Sequence, residues 1–322
     1  MRWPWWSRWI VAVWLAFPVS PSRSAALLFL ATQERPPLFQ AWADDPRRSP
    51  REWVTLMLQP AGIALHGYLA TDRPPPPRPL RTPEVLTDLC QRPRVQGVVV
   101  LGPEAAQAVA PTCRLPTLVL GMPRQQVAAL EAATGREPLS ALYLEAEPWL
   151  NARLVRALLP TARRVGVLLP TPAPAWLSPL RAEADRLHLT LDEIVATDDL
   201  DAVRALRPRL PGLDAVLLPP DPALINEWSL KPLLLMTVRQ GVPTFGGLTA
   251  RYVEAGVLAA VVADEARLID QLRPLIRDLI RGRLPTSAYP TAVRVVVNPT
   301  VAQTLGVSAA ALDRLPSSVL RP

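Results

Sequence analysis

Lysine is almost missing from this chain. Of its 35 Lys and Arg residues only Lys231 is a lysine, and histidine occurs twice, at His66 and His188. There are two cysteines, Cys90 and Cys113, and only 14 glycines in 322 residues. Each scarcity closes a route. Both histidines lie in or beside apolar runs, and the cysteines have no second pair, so metal chemistry and histidine-based catalysis lack their ligands. No GxxxxGKS/T, GxGxxG, GxSxG or HExxH pattern occurs, which removes the phosphate-loop, dinucleotide, serine-hydrolase and zincin readings. The expectation is a protein that is not an enzyme and uses no cofactor or metal.

What is abundant is arginine, alanine, leucine and proline. The net charge of +7 and a pI near 10.3 would suit a nucleic-acid partner if the basic side chains shared one surface. They are instead scattered and often sit near acids, as in Asp185–Arg186 and Asp201–Arg204, so no nucleic-acid partner is expected. Hydrophobic residues make up 49 % and charged ones 20 %, the balance of a globular chain long enough for one large or two modest cores.

The first 24 residues have the layout of a secretory signal: Arg2 and Arg8, then an apolar core over 9–19, then a Pro/Ser stretch with small residues at Ser24 and Ala25. The core is short for a membrane span; an uncleaved interfacial anchor is the rival reading, because Trp3, Trp5 and Trp6 precede it and Trp9 opens it. Without Arg2, Arg8 and Arg23 the formal charge falls to about +4.

Apolar runs that read as strands lie at 26–31, 63–70, 95–101, 117–120, 141–145, 165–169, 189–194, 215–218 and 293–297. Several are continuous, as in strands covered on both faces. Helical patterns lie between them at 83–90, 104–109, 149–158, 179–187 and 199–206, and repeated strand–helix–strand units predict parallel sheets. The repetition occurs twice, over 26–160 and again from Arg163, so two parallel-sheet lobes are expected. The stretch 264–281 is an amphipathic helix interrupted by Pro274 and stopped by Gly282. Asn298-Pro299 opens a short helix that Gly306 closes. Ligands of open α/β sheets sit beyond the carboxyl ends of the strands, and two lobes facing there would form a cleft that closes by hinge motion.

From Leu158 onward the stretches LLPTARRVGVLLPTPAP, LDAVLLPPDPALI, GVPTFGGLTARYVEAGVLAAVV and VRVVVNPTVAQTLGV resemble, in order and spacing, the substrate-binding proteins of bacterial ABC uptake systems, in the group with tryptophan- and tyrosine-binding members. The resemblance covers 158–315 and extends more weakly over 25–157 through VQGVVVLGPEAAQAV and LPTLVL. It implies the type I periplasmic-binding fold, two Rossmann-like lobes joined by three crossings. The implied division is a signal over 1–24, a first lobe of 25–160 with 257–288, and a second of 161–256 with 289–322.

The strand ends then supply the candidates. In the first lobe these are Thr32 and Gln33, Gly102 with Glu104, and Gly121. In the second they are Thr171, Asp221, the Phe245-Gly246-Gly247 turn and Arg251, with Glu254 one helical turn on. Asp221 matches the family's acidic position, and otherwise reads as a helix N-cap before Pro222. Arg251 and Glu254 equally suit a local i,i+3 pair. Trp176, near Thr171, is a candidate for stacking on a ligand or for core packing. Two departures stand out: Pro103-Glu104 replaces the small residues the family uses to open the helix after this strand, and Leu248-Thr249 replaces acidic residues after the glycine turn. An amino-acid ligand therefore does not carry over. A more cationic or apolar solute, or a sensory role without transport, remains open. Cys90 and Cys113 both fall at the amino edge of the first sheet, as a disulfide or as two buried thiols. The expected setting is the periplasm, with a monomer that binds a small molecule and delivers it to an inner-membrane ABC permease, or else contacts a membrane receptor.

Overall fold

The computed structural model describes residues 26–31, 51–58, 63–70, 83–91, 95–135, 139–264 and 267–307, with Leu312, Leu315 and Val319 beyond. The export signal over 1–24, Thr32 and Gln33 lie outside these residues. The described chain divides into two compact units. One runs up to Tyr143 and resumes at 267–288; the other holds Leu144–Asp264 and the residues from Tyr289.

The first unit carries β1 (Ala26–Ala31), β2 (Arg51–Leu58), β3 (Ile63–Ala70), α1 (Pro83–Gln91), β4 (Val95–Leu101), α2 (Pro103–Val109), β5 (Thr117–Leu120), α3 (Arg124–Thr134) and β6 (Ser140–Leu142). Its described strands form one sheet in the order β2-β3-β1-β4-β5-β6. From β1 to β6 the pairing is parallel, with Leu28 beside Val98 and Val100 beside Val119. β4 and β5 are the continuous apolar runs of the sequence, and Val98, Val100 and Val119 are wholly buried, as strands covered on both faces require. The other edge departs from the parallel expectation: β3 runs antiparallel to both β1 and β2. The short connection between 58 and 63 requires this of β2 and β3, because parallel neighbours need a long crossover. Cys90 on α1 and Cys113 after α2 are joined in a disulfide within this unit's core, their Cα atoms 5.7 Å apart.

The second unit begins with α4 (Leu150–Leu158), then β7 (Arg164–Leu169), α5 (Leu177–Arg186), β8 (Thr190–Val195), α6 (Asp199–Leu206), β9 (Ala215–Leu218), α7 (Leu230–Arg239), β10 (Thr244–Gly246), α8 (Ala250–Glu254) and β11 (Ala259–Ala263). Two boundaries differ from those implied by sequence. α4 belongs here and not to the first lobe, because Leu150, Leu154, Val155 and Leu158 pack in the core with Val165, Leu217 and Val261. The run 257–264 is also part of this unit. It forms β11, paired in parallel with β10 through Ala259 and Phe245, and its small apolar residues suit a strand enclosed on both faces.

The chain then returns to the first unit as α9 (Leu268–Ile280), which buries Leu272, Ile276 and Leu279. Leu279 lies so close over β4 that a Cβ on Gly97 would fall 2.6 Å from its Cγ. The second unit closes with β12 (Val293–Val297) and α10 (Pro299–Thr304). Its sheet order is β12-β11-β10-β9-β7-β8, parallel except for the β11–β12 edge. Asn298 caps α10 by accepting the Val301 N–H at 3.1 Å, and its amide donates to the Val253 carbonyl at 2.8 Å. Among the described residues no helix is long and apolar enough to cross a membrane.

Candidate functional site

The second unit gathers its candidates at the carboxyl ends of β9 and β10. Pairing of Gly246 with Leu218 aligns the two strand ends, and the Gly247 N–H donates to the Leu218 carbonyl at 3.3 Å. Both glycines have positive φ, 87° and 99°, the region in which a Cβ is strained and glycine is not. Space is short as well. A Cβ on Gly246 would meet the Leu218 carbonyl oxygen at 3.0 Å and the Asn151 side chain at 3.5 Å; one on Gly247 would fall 2.5 Å from the Tyr252 ring. The glycine pair therefore lets the backbone turn against Asn151 and Tyr252.

Asp221 stands three residues beyond β9. Its residue is 4 % exposed. Oδ1 accepts the Ala223 N–H at 2.9 Å, while Oδ2 is buried and receives no hydrogen bond. Burial pushes the carboxyl above its ordinary range, partly offset by the Ala223 amide. Tyr252, on α8, donates its hydroxyl to the Ile225 carbonyl at 2.8 Å. Burial, and then the negative charge of Asp221, push its phenol well above the usual value. Tyr252 thus joins the glycine turn to the loop that begins at Asp221.

A raised carboxyl pKa means that the folded chain holds the proton more tightly than the unfolded one. The resulting stability is complete below the unfolded pKa and is lost as pH rises through the folded value. At neutral pH the lone carboxylate is thus a burden on the fold. Asp221→Asn keeps an acceptor for Ala223, and we expect it to raise the melting temperature at neutral pH and to have little effect well below the carboxylate range. A lower melting temperature at neutral pH would show that the charge is paired.

The remaining candidates separate. Gly102 and Glu104 lie at the end of β4 in the first unit, where the Gly102 N–H donates to the Leu120 carbonyl at 2.9 Å and Glu104 Oε2 is buried with no hydrogen-bond partner. Gly121 ends β5 beside them, its would-be Cβ 3.8 Å from the Gly102 nitrogen. Thr171, after β7, is exposed and precedes a cis bond to Pro172. Arg251 is half-buried on α8 and Glu254 is exposed. Two aromatic candidates are corrected. Phe245 is wholly buried, packed in the second core with Leu217 and Ala259, and Trp176 packs in the same core; their rings serve the fold. Asn151 and Tyr252 were not among the sequence candidates. Asn151 accepts the Val261 N–H at 3.0 Å, and its place on the buried face of α4, in step with Leu154, Val155 and Leu158, was the available signal. Among the described residues no group of three His, Cys, Asp or Glu side chains is placed to hold a metal.

No family model matches the chain, and no curated protein matches it in sequence. Solved structures do. The ABC domain from Streptococcus pneumoniae solved in complex with L-Trp aligns at a TM-score of 0.54 and 19 % identity, over 72 % of this chain and 83 % of that one. A conserved domain protein from Vibrio cholerae gives 0.53 and 18 %, over 73 % and 85 %. A ligand-free, open substrate-binding protein with adhesive properties from Clostridium difficile gives 0.51 and 13 %, over 74 % and 85 %. With two α/β units and mostly parallel sheets, the fold is that of the type I periplasmic binding proteins. The neighbours with this fold include an ABC domain in complex with L-Trp and a substrate-binding protein.

Proposed function

We propose that this chain is an exported, monomeric solute-binding protein of an ABC-type uptake system, taking a small molecule at the carboxyl ends of its parallel strands and presenting it to an inner-membrane permease. The observation that carries this reading is Asp221: a carboxylate 4 % exposed, with one oxygen lacking a donor, beyond the strand aligned with the Gly246-Gly247 turn. A buried unpaired carboxylate destabilises a fold, and a ligand that supplies its partner accounts for its presence. Glu104 repeats the pattern in the first unit. Export agrees with the N-terminal layout of the sequence and with the Cys90–Cys113 disulfide, a bond that persists in oxidising compartments.

A thermal-shift screen of amino acids, amines, nucleobases and small cations tests the reading. A ligand present at a hundredfold excess over its Kd should stabilise the protein by about 2.7 kcal/mol. The second reading is a periplasmic sensory or scaffold protein that contacts a membrane receptor. It is favoured by the exposed Leu235 and Val238 on α7 and by Trp228 just before that helix, 76 % exposed, since such surfaces mark protein contacts. No shift with any small molecule, together with binding to a purified receptor, would replace the first reading by the second.

A further inference from the structure

We propose that the solute is a cation, an amine or guanidinium compound carrying no carboxylate. This rests on the solute-binding reading above and narrows it to a ligand class. Anions in α/β folds are held by free backbone N–H groups at strand ends and at the helix starts behind them. At the tip of β9 this chain has few to offer. Beyond β9 it runs Pro219-Pro220-Asp221-Pro222, so three of these four residues have no N–H at all. The next amides turn inward, Ala223 to Asp221 Oδ1 and Ile225 to the Asp221 carbonyl, each at 2.9 Å. At the end of β10 the Gly247 N–H is taken by the Leu218 carbonyl. The first unit repeats this economy at β4: the Gly102 N–H is bonded to Leu120, Pro103 has none, and Glu104 places a negative charge in the first turn of α2, where it opposes an anion.

What these tips present is acceptors. Asp221 Oδ2 and Glu104 Oε2 are buried carboxylate oxygens with no donor. A ligand N–H⁺ supplies the missing donor and the missing charge together, and charge-assisted bonds of this kind are the strong ones. A zwitterion would satisfy Asp221 Oδ2 equally but would need a donor for its own carboxylate. Arg251, on α8 beyond the glycine turn, is the nearest basic group in sequence to that turn. Ligand charge is therefore the quantity to vary.

Titration calorimetry on the full exported chain, with two matched series, separates the cases: putrescine, γ-aminobutyrate and succinate, and tryptamine, L-tryptophan and indole propionate, with agmatine as the guanidinium probe. The cationic member of a series is expected to bind at least about tenfold tighter than its zwitterionic and anionic partners, and Asp221→Asn to weaken it by about tenfold to a hundredfold. The melting temperature of Asp221→Asn, measured alongside, keeps lost binding distinct from lost folding. A zwitterion or anion that binds while the amines stay silent overturns the cation assignment and leaves the solute-binding reading standing. Unchanged amine affinity in Asp221→Asn overturns the role given to that carboxylate. Silence from the whole panel overturns the cation assignment and leaves the solute-binding reading to the thermal-shift screen.

Discussion

Replacing Cys90 and Cys113 together by alanine is expected to lower the stability of the first unit by about 3 kcal/mol. The two residues are 23 apart in sequence, and a loop of that length, once closed, removes a large share of the unfolded chain's freedom. The native geometry suits the bond, since a Cα separation of 5.7 Å lies within the range a disulfide spans without moving the backbone. Both side chains are buried in the core with Leu86, Val95 and Val109, so the link ties α1 to the segment that leads into β5. Alanine leaves no buried hydroxyl behind and isolates the crosslink from polarity. Urea unfolding of wild type with and without reductant should reproduce the mutant difference. Hydrogen exchange should show the loss in β4 and β5, with β7 and β9 unchanged. Equal unfolding midpoints under oxidising and reducing conditions would mean that the bond does not constrain the unfolded chain.

The parts of this architecture legible in the sequence are those decided by neighbouring residues. Continuous apolar runs marked β4, β5 and β9; Asn298-Pro299 marked the start of α10; Gly246-Gly247 marked a turn of positive φ. Each depends on a short window of chain. What escaped depends on distant partners. The apolar face of α4 would suit either core, and only packing against Val165 and Val261 decides between them. The run 257–264 is equally apolar as a strand of either sheet, and its register with Phe245 is set by the whole second sheet. β2 was missed because its alternation is broken by adjacent apolar residues, Trp53-Val54 and Leu56-Met57. At the site, Asp221 was visible as a lone acid among prolines. Tyr252 was not, because its part rests on a hydrogen bond to Ile225, 27 residues away. Phe245 misled for a related reason: it is next to the turn in sequence, yet alternation along β10 sends its ring into the core while the turn lies beyond the strand end.

Gly247→Ala should be the most damaging small substitution at the site, at about 4 kcal/mol, from backbone strain and overpacking together. The backbone there has φ of 99°, and an alanine Cβ would lie 2.5 Å from Tyr252 Cδ1, 2.7 Å from Cγ and 3.1 Å from Cβ. Those atoms are the root of the side chain and cannot swing aside at little cost. If the ring is displaced, the hydroxyl leaves the Ile225 carbonyl and a buried acceptor loses its donor. Gly241→Ala provides the control, because its φ is also positive, 67°, but a Cβ would meet nothing within 4 Å. Strain alone should cost it about 1 kcal/mol. The difference between the two variants measures the contact with Tyr252, and Gly247→Ala combined with Tyr252→Ala should recover part of it, since the second change removes the ring that the first one strikes. Equal losses for Gly247→Ala and Gly241→Ala in chemical denaturation would show that Tyr252 yields freely and does not fix the turn beside Asp221.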